Sequence, residues 1–138
     1  MADYLIFGGT GSLGKKLIQR LLPGSTLAVY SRDEAKHWSI RNELADHPQL
    51  KNLEFYVGDI RDQTRIRDVI RNVHPTTIII AAALKQVDTC ELSPSESIAT
   101  NLLGTQNVVS IVAEMQMGCH IKNVLFVSTD KACSPVNV

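Results

Sequence analysis

Four glycines mark the segment Gly8-Gly9-Thr10-Gly11-Ser12-Leu13-Gly14, which directly follows a short apolar run near the start of the chain. Glycine at this spacing permits a tight turn, lets the backbone approach a pyrophosphate, and lets a helix pack closely on a strand. The amides and dipole of the following helix would hold the phosphate charge. The segment therefore predicts a phosphate-binding turn, with a glycine-rich turn that binds nothing as the alternative; its members would be Gly8, Thr10, Gly11, Ser12, Leu13 and Gly14.

The residues after the second apolar run indicate which dinucleotide would bind there. The sequence reads Ser31-Arg32-Asp33, with Lys36 one helical turn further on. A carboxylate at the end of this strand would favour the ribose 2′-hydroxyl of NAD, whereas a guanidinium accommodates the 2′-phosphate of NADP. We interpret Asp33 as the cap of the next helix, so Ser31, Arg32 and Lys36 predict NADP. The alternative for Arg32 is a solvated loop charge.

Two later segments place polar residues at the ends of further strands. Asp59 and Ile60 follow the third apolar run and would lie beside an adenine. Thr129, Asp130 and Lys131 follow the fifth run, and ligands of open α/β sheets bind at the carboxyl ends of the strands. Adjacent Asp and Lys could exchange protons with a substrate, and a solvated ion pair is the alternative.

Apolar runs that alternate with amphipathic segments predict the elements that position these residues. Buried strands are expected at Tyr4–Phe7, Thr26–Tyr30, Leu53–Val57, Thr77–Ala82 and Val124–Val127. Helices are expected at Leu13–Leu22, Asp33–Ala45, Gln63–Val73 and Pro94–Met117, with Asp62 and Ser93 as caps of the last two. This alternation is typical of a doubly wound α/β fold, in which right-handed crossovers join parallel strands.

The fourth predicted helix is apolar over about half of its circumference, more than a helix on a sheet needs. The residues of this wide face are Ile98, Leu102, Val108, Val109, Ile111, Val112 and Met115. One interpretation is a deeply buried helix in a large core. The other is a second packing partner, either another helix or another subunit.

Composition and charge exclude several classes of protein. The chain has 138 residues, which fits one domain, and its fourteen basic side chains balance fourteen acidic ones. A polycationic nucleic-acid or membrane-surface binder is therefore not expected. The longest apolar run, Ile78–Leu84, is far shorter than the roughly 18–20 residues of a spanning helix. Three scattered cysteines and four histidines without metal-ligand spacing favour a cytoplasmic protein without disulfides or zinc.

Five segments, in order and at matching spacing, resemble the extended short-chain dehydrogenase/reductases of polysaccharide biosynthesis, specifically the UDP-N-acetylglucosamine 4,6-dehydratases. They are Gly8–Gly14, Tyr30–Glu34, Gly58–Asp62, Ala81–Val87 and Ser128–Ala132. The first segment is common to many dinucleotide-binding folds, whereas the last two are far more specific. The resemblance implies a Rossmann fold, of which the chain would supply the first five strands in the order 3-2-1-4-5.

The resemblance also implies roles for individual residues. The cofactor would be NADP and the substrate a UDP-sugar, oxidised at C4, deprotonated at C5 and dehydrated at C6. Lys131 would be the base at C5, Asp130 the acid at C6, and Thr129 would hydrogen-bond near the C4 oxygen. The cofactor site would gain further members from the fourth strand and helix, with Lys85 by the substrate pocket: Ala81, Ala82, Ala83, Lys85 and Asn101.

The chain departs from the family pattern at its last residues. Pro135-Val136-Asn137-Val138 fits the family, but the tyrosine expected to deprotonate the C4 hydroxyl would come one residue later. We therefore expect residues 1–138 to be a dinucleotide-binding domain that lacks this tyrosine and the sugar-binding portion, and to be inactive alone. They should associate with copies of themselves through Ile98, Leu102, Val109 and Val112. A non-catalytic dinucleotide-binding module, or a nucleotide-sugar epimerase or reductase, is the alternative.

Overall fold

A computed structural model describes residues 1–115 and 120–129, and it shows a five-stranded parallel sheet. The strand order is β3-β2-β1-β4-β5, which confirms the predicted order and the α/β class. The strands are β1 (Tyr4–Phe7), β2 (Leu27–Ser31), β3 (Leu53–Val57), β4 (Thr77–Ile80) and β5 (Asn123–Phe126). Because all of them run parallel, their carboxyl ends meet at one edge of the sheet.

Helices cover both faces of the sheet, as the alternating pattern predicts. They are α1 (Ser12–Leu21), α2 (Glu34–Glu43), α3 (Gln63–Val73), α4 (Val87–Leu92), α5 (Pro94–Ile98) and α6 (Gly104–Met115), with a π-helical turn at Ala99–Leu103. Two caps form as the sequence indicates: the Asp33 carboxylate accepts from the Lys36 amide, and the Asp62 carboxylate accepts from the Arg65 amide. These bonds fix where α2 and α3 begin, directly after the loops that follow β2 and β3.

Within the described residues the helix predicted over 94–117 runs without a break from Pro94 to Met115, but it is not α-helical throughout. The segment is α5, a π-helical turn and then α6, and the short helix α4 precedes it. Ser93, with φ −139°, separates α4 from α5, and Pro94 begins α5. The side chain of Ser93 makes no capping bond among the described residues. The i→i+5 bonds of a π turn place one extra residue in the helix, and the α-helical period used to read the sequence does not include such a turn.

Period-two alternation along the strands divides the core into two layers. One layer packs β-strand residues such as Phe7 against Ile66 of α3 and Ile111 of α6. The other packs Val29 of β2 against Ile18 of α1 and Ile40 of α2. The two faces of the sheet therefore hold the helices that follow β1 and β2 on one side and those that follow β3 and β4 on the other.

The wide apolar face on 98–115 is only half covered in the structure. Val108, Ile111 and Val112 are buried in the core, so the expectation that Val112 contributes to an interface is wrong. Ile98, Leu102 and Val109 are 43%, 63% and 50% exposed. A helix buried on all sides is therefore not what forms. Strand β5 also departs from the prediction of a buried strand, since Leu125 and Phe126 are more than half exposed. Its one described neighbour in the sheet is β4, so β5 forms an edge.

Within the described part of the chain, no helix has the length and apolarity that crossing a membrane requires.

Candidate functional site

A cavity of about 840 Å³ opens at the carboxyl ends of the strands. Its wall brings together nearly all the residues that the sequence assigned to cofactor binding, together with Thr129: Gly8, Thr10, Gly11, Ser12, Leu13, Gly14, Ser31, Arg32, Lys36, Ile60, Ala81, Ala82, Ala83, Lys85 and Asn101. Asp59 is the one exception among them, and it lies behind Ile60 in the loop after β3. This volume falls within the range of pockets that bind cofactors and other small ligands.

Close backbone approach explains the glycines of the turn after β1. Gly8 has φ +78°, and a Cβ built there would lie 2.6 Å from the backbone of Ala82. A Cβ on Gly14 would overlap the backbone of Gly9, because the first turn of α1 returns against the loop. Only glycine fits at these two positions, so the turn lies flat against the loop that follows β4.

The N-terminus of α1 points its amides at this cavity. Gly11 is the N-cap of the helix, and its own amide donates to the carbonyl oxygen of Gly8 at 3.0 Å. Among the described residues no side chain caps α1, and its first turn carries no acidic residue. The amides of Ser12, Leu13 and Gly14 therefore remain available to an anion, and the helix dipole favours negative charge there.

Polar side chains surround the end of β2. The Thr10 hydroxyl donates to Ser31 Oγ at 3.2 Å, and Ser31 Oγ lies 2.7 Å from Nε2 of His37. Arg32 is half exposed, with its guanidinium 3.7 Å from the carboxylate of Asp59. Lys36 pairs with the Asp33 carboxylate at 3.0 Å. Two cations and one hydroxyl, those of Arg32, Lys36 and Ser31, thus line the cavity wall at the end of β2.

The carboxylate of Asp59 is held by a neighbouring guanidinium. Nε and Nη2 of Arg61 donate to it at 3.0 and 2.7 Å, and Nη1 of Arg61 reaches Glu96 at 2.6 Å. The Arg61 hydrogen bond is the main reason that the pKa of Asp59 falls below its ordinary value. Asp59 therefore remains a carboxylate that already has a strong partner, while Ile60 presents the apolar surface to the cavity.

The loop after β4 forms the opposite wall and is fastened to the π-helical turn. Asn101 accepts a hydrogen bond from the amide of Leu84 at 2.8 Å and donates one to its carbonyl oxygen at 2.9 Å. Asn107 donates to the carbonyl oxygen of Ile60 at 3.3 Å. Both asparagines thus form hydrogen bonds with backbone groups. Asn101 additionally lies on the cavity wall beside Lys85.

The wall also contains residues for which the sequence predicts no role in the site: Tyr30, Asp33, Gly58, Leu84, Val87, Cys90, Ser97, Ile98, Thr100, Leu102, Phe126, Val127 and Ser128. One of them, Thr100, is buried, and its hydroxyl has no hydrogen-bond partner among the described residues. Asp130 and Lys131 lie outside the described residues, directly after Thr129.

None of the chain's three tyrosines is suited to act as a base in this cavity. Tyr30 is buried and donates its hydroxyl to the Asp59 carbonyl oxygen, and burial raises its pKa. Tyr56 donates to Glu54, and burial together with that bond raises its pKa to about 12. Tyr4 begins β1 and so lies at the opposite end of the sheet. Among the described residues, no cluster of His, Cys, Asp or Glu could hold a metal ion.

Residues 4–138 match the sequence profile of a family described as "Polysaccharide biosynthesis protein". The chain is 40% identical to a UDP-glucose 4-epimerase of Rickettsia rickettsii over 139 residues, covering 96% of this chain and 38% of that protein. It is 39% identical to an inverting UDP-N-acetylglucosamine 4,6-dehydratase of Campylobacter jejuni over 139 residues, covering 99% of this chain and 39% of that protein. The chain thus spans well under half the length of these relatives.

Two solved structures share the fold over most of this chain. Pen from Bacillus thuringiensis has a TM-score of 0.86 at 33% identity, covering 98% of this chain and 40% of that one. The Bordetella bronchiseptica enzyme WbmG, in complex with NAD and UDP, has a TM-score of 0.71 at 25% identity, covering 91% and 36%.

Proposed function

Because the chain belongs to the polysaccharide biosynthesis protein family, we propose that it forms the nicotinamide-dinucleotide-binding part of an enzyme that modifies a nucleotide sugar. The observation that carries this proposal is the cavity at the carboxyl edge of the sheet, with the glycine turn and the uncapped end of α1 on its wall. WbmG, which shares the fold, is described with NAD and UDP bound. Ligands of doubly wound sheets bind at this edge.

The residues present fit three parts of an adenine dinucleotide: the pyrophosphate, the adenine and the ribose 2′ position. The pyrophosphate would contact the amides at the start of α1, which no described side chain caps. Ile60 would pack against the adenine. Arg32 and Lys36 would lie beside a 2′-phosphate, which favours NADP over NAD. When bound, the nicotinamide supplies reversible hydride transfer.

The preference for NADP is tested by an isothermal titration of NADP and of NAD into the protein. The unmodified protein should bind NADP more tightly, and Arg32→Ala should remove most of that difference while leaving the affinity for NAD nearly unchanged. Arg20→Ala is a matched control, because Arg20 lies in the last turn of α1, away from the cavity wall. Equal affinity of the unmodified protein for both dinucleotides would contradict the preference.

We further propose that the reaction is the 4,6-dehydration of UDP-N-acetylglucosamine. Lys131 would remove the proton at C5, Asp130 would protonate the C6 hydroxyl as it leaves with its bonding electrons as water, and Thr129 would hold the oxygen at C4. Support comes from the segment Ser128–Ala132 and from the 39% identity to a named dehydratase. Thr129 lies on the cavity wall, at the edge of the sheet where the nucleotide would bind.

A 4-epimerase is the second candidate, since the 40% identical relative carries that name. Epimerisation inverts C4 without losing atoms, so it needs no acid at C6 and no base at C5. Incubation of the complete enzyme to which this part would belong with NADP and UDP-N-acetylglucosamine separates the two. A product lighter by one water identifies the dehydratase, and a product of unchanged mass with inverted C4 identifies the epimerase.

Substitutions at the proposed acid and base sharpen that assay. Asp130→Asn and Lys131→Ala should each abolish the loss of water, because each removes one proton-transfer group. Asp88→Asn and Lys122→Ala are exposed controls that should retain it. Dehydration that persists in Asp130→Asn or Lys131→Ala would show that these roles are wrong. Dinucleotide binding without either product would favour the non-catalytic module.

The uncovered apolar residues of 98–115 support a proposal about assembly. Ile98, Leu102 and Val109 form an exposed apolar surface that water disfavours, and a second copy of the chain would cover it. Sedimentation should therefore show concentration-dependent association that Val109→Lys weakens and the exposed control Val57→Lys does not. A monodisperse monomer at high concentration would contradict this proposal.

A further inference from the structure

One polar chain at the end of β2 reaches beyond the residues used above. Thr10 and Ser31 both lie on the cavity wall, whereas His37 lies behind them in α2 and is only 6% exposed. The imidazole packs 4.9 Å from the ring of Phe55 and contacts Ser31 Oγ through Nε2 at 2.7 Å. His37 therefore does not reach the cavity itself, but it contacts the Ser31 hydroxyl, which lies on the cavity wall.

The state of Nε2 decides what the Ser31 hydroxyl can offer a ligand. A serine hydroxyl has one proton to donate and can accept two hydrogen bonds. Thr10 donates to it and occupies one acceptor position. If Nε2 of His37 carries a proton and donates as well, the Ser31 proton is free to point into the cavity. If Nε2 carries no proton, the Ser31 hydroxyl donates its proton to the imidazole ring. Ser31 then offers the cavity only a lone pair, which can accept a hydrogen bond but not donate one.

The two possible ribose substituents require opposite partners. A 2′-phosphate presents oxygens that only accept, so it needs Ser31 as a donor. A 2′-hydroxyl can donate, so it is satisfied by the lone pair. We propose that His37 is a positioning residue that sets specificity at the 2′ position: a proton on its Nε2 turns Ser31 into a donor toward a 2′-phosphate. The inference rests on the proposed dinucleotide site and adds a coupled proton to it.

Charges around the ring determine the direction of this coupling. The groups that face His37 are Asp33 and Glu34, which favour the protonated ring, and Arg41, which disfavours it; β3 presents the uncharged ring of Phe55. Burial outweighs these charges and lowers the pKa of His37, so in the free protein the ring is predominantly neutral at pH 7. A nearly dianionic phosphate on the other side of Ser31 would raise that pKa. We assign the one proton of the neutral ring to Nδ1, so that Nε2 accepts from Ser31 in the free protein. Binding of a 2′-phosphate should therefore take up a proton, and binding of a 2′-hydroxyl should not.

Calorimetry in two buffers of different ionisation enthalpy measures this uptake at pH 7. The probes are adenosine 2′,5′-bisphosphate and adenosine 5′-monophosphate (AMP), which share the adenosine and the 5′-phosphate and differ only in the 2′ group. The unmodified protein should take up a substantial fraction of a proton with the bisphosphate and almost none with AMP. His37→Gln keeps an N–H donor that does not titrate, so it should retain most of the preference but lose the uptake. The ligand's own ionisation is common to both proteins and cancels.

A second variant separates positioning from mere structural support. His37→Phe fills the space against Phe55 without a donor and should reduce the ratio of bisphosphate to AMP affinity by about tenfold. His120 is exposed, so His120→Gln is the control, and its ratio of the two nucleotide affinities should equal that of the unmodified protein. If His37→Phe does not fold, Ser31→Ala takes its place with the same expectation.

Each result bears on a different part of the account. If neither nucleotide binds to the folded, unmodified protein, the proposed dinucleotide site is wrong and the inference falls with it. If both bind but the proton uptake persists in His37→Gln, the proton is not on His37. If His37→Phe weakens both nucleotides equally, or lowers only the melting temperature, His37 is structural and the inference is overturned.

Discussion

Replacing Gly8 by alanine should destabilise the fold and also push the glycine turn away from the loop that follows β4, which widens the proposed dinucleotide site. Gly8 has φ +78°, a conformation that costs an L-residue about 1–2 kcal/mol. The added Cβ would also lie 2.6 Å from the backbone of Ala82, and no rotamer can relieve a clash between backbones. Overpacking of this kind costs about 1–3 kcal/mol. Together the two effects predict a loss of about 2–5 kcal/mol in the free energy of unfolding.

Thermal unfolding followed by circular dichroism measures the loss. For a domain of this size we expect the melting temperature to fall by on the order of 10 °C. Gly24→Ala is the matched control, because a Cβ at Gly24 meets nothing within 4 Å. That control should change stability by less than about 1 kcal/mol. If Gly8→Ala and Gly24→Ala have the same melting temperature, the reasoning about the turn is refuted.

Two further predictions concern carboxylates in loops that follow strands. Asp62→Ala removes the cap of α3 and should cost about 1 kcal/mol in urea unfolding, whereas the exposed Asp68→Ala within the same helix should change little. Asp59 has a pKa below its ordinary value because Arg61 donates to it, so its contribution to stability is present above the unfolded pKa and is lost as pH falls through the folded one. Asp59→Asn should therefore lose less stability than the unmodified protein between about pH 5 and pH 3. If the free energy of unfolding falls equally with pH in Asp59→Asn and in the unmodified protein, Asp59 makes no such contribution.

The fold followed from the sequence because its signals are local. Strands of four or five apolar residues, separated by turns and amphipathic helices, leave few arrangements other than a doubly wound sheet. The glycine turn was recognisable because Gly8 and Gly14 occupy positions that exclude a Cβ, and such a requirement shows directly in residue type. The caps Asp33 and Asp62 were also recognisable from residue type, because a helix start favours a short side chain that accepts a hydrogen bond from a backbone amide.

What the sequence could not reveal depends on contacts between distant segments. The bond between Ser31 and His37 joins a strand to a helix, and a single histidine at a buried helical position resembles any core residue. Its position three residues before the buried Ile40 is the only local sign that it faces the sheet. Likewise, the hydrogen bonds between Arg61 and Asp59 and between Asn101 and Leu84 depend on loop geometry. The apolar periodicity of the sequence carries no information about that geometry.

Backbone amide shifts during a titration with NADP test the central claim most directly. The account predicts that saturating NADP shifts the amides of the Gly8–Gly14 turn and of Ser31 and Arg32, and leaves those around Gly24 unchanged. Spectra in which the turn does not respond to NADP or NAD, while the protein remains folded, would contradict it.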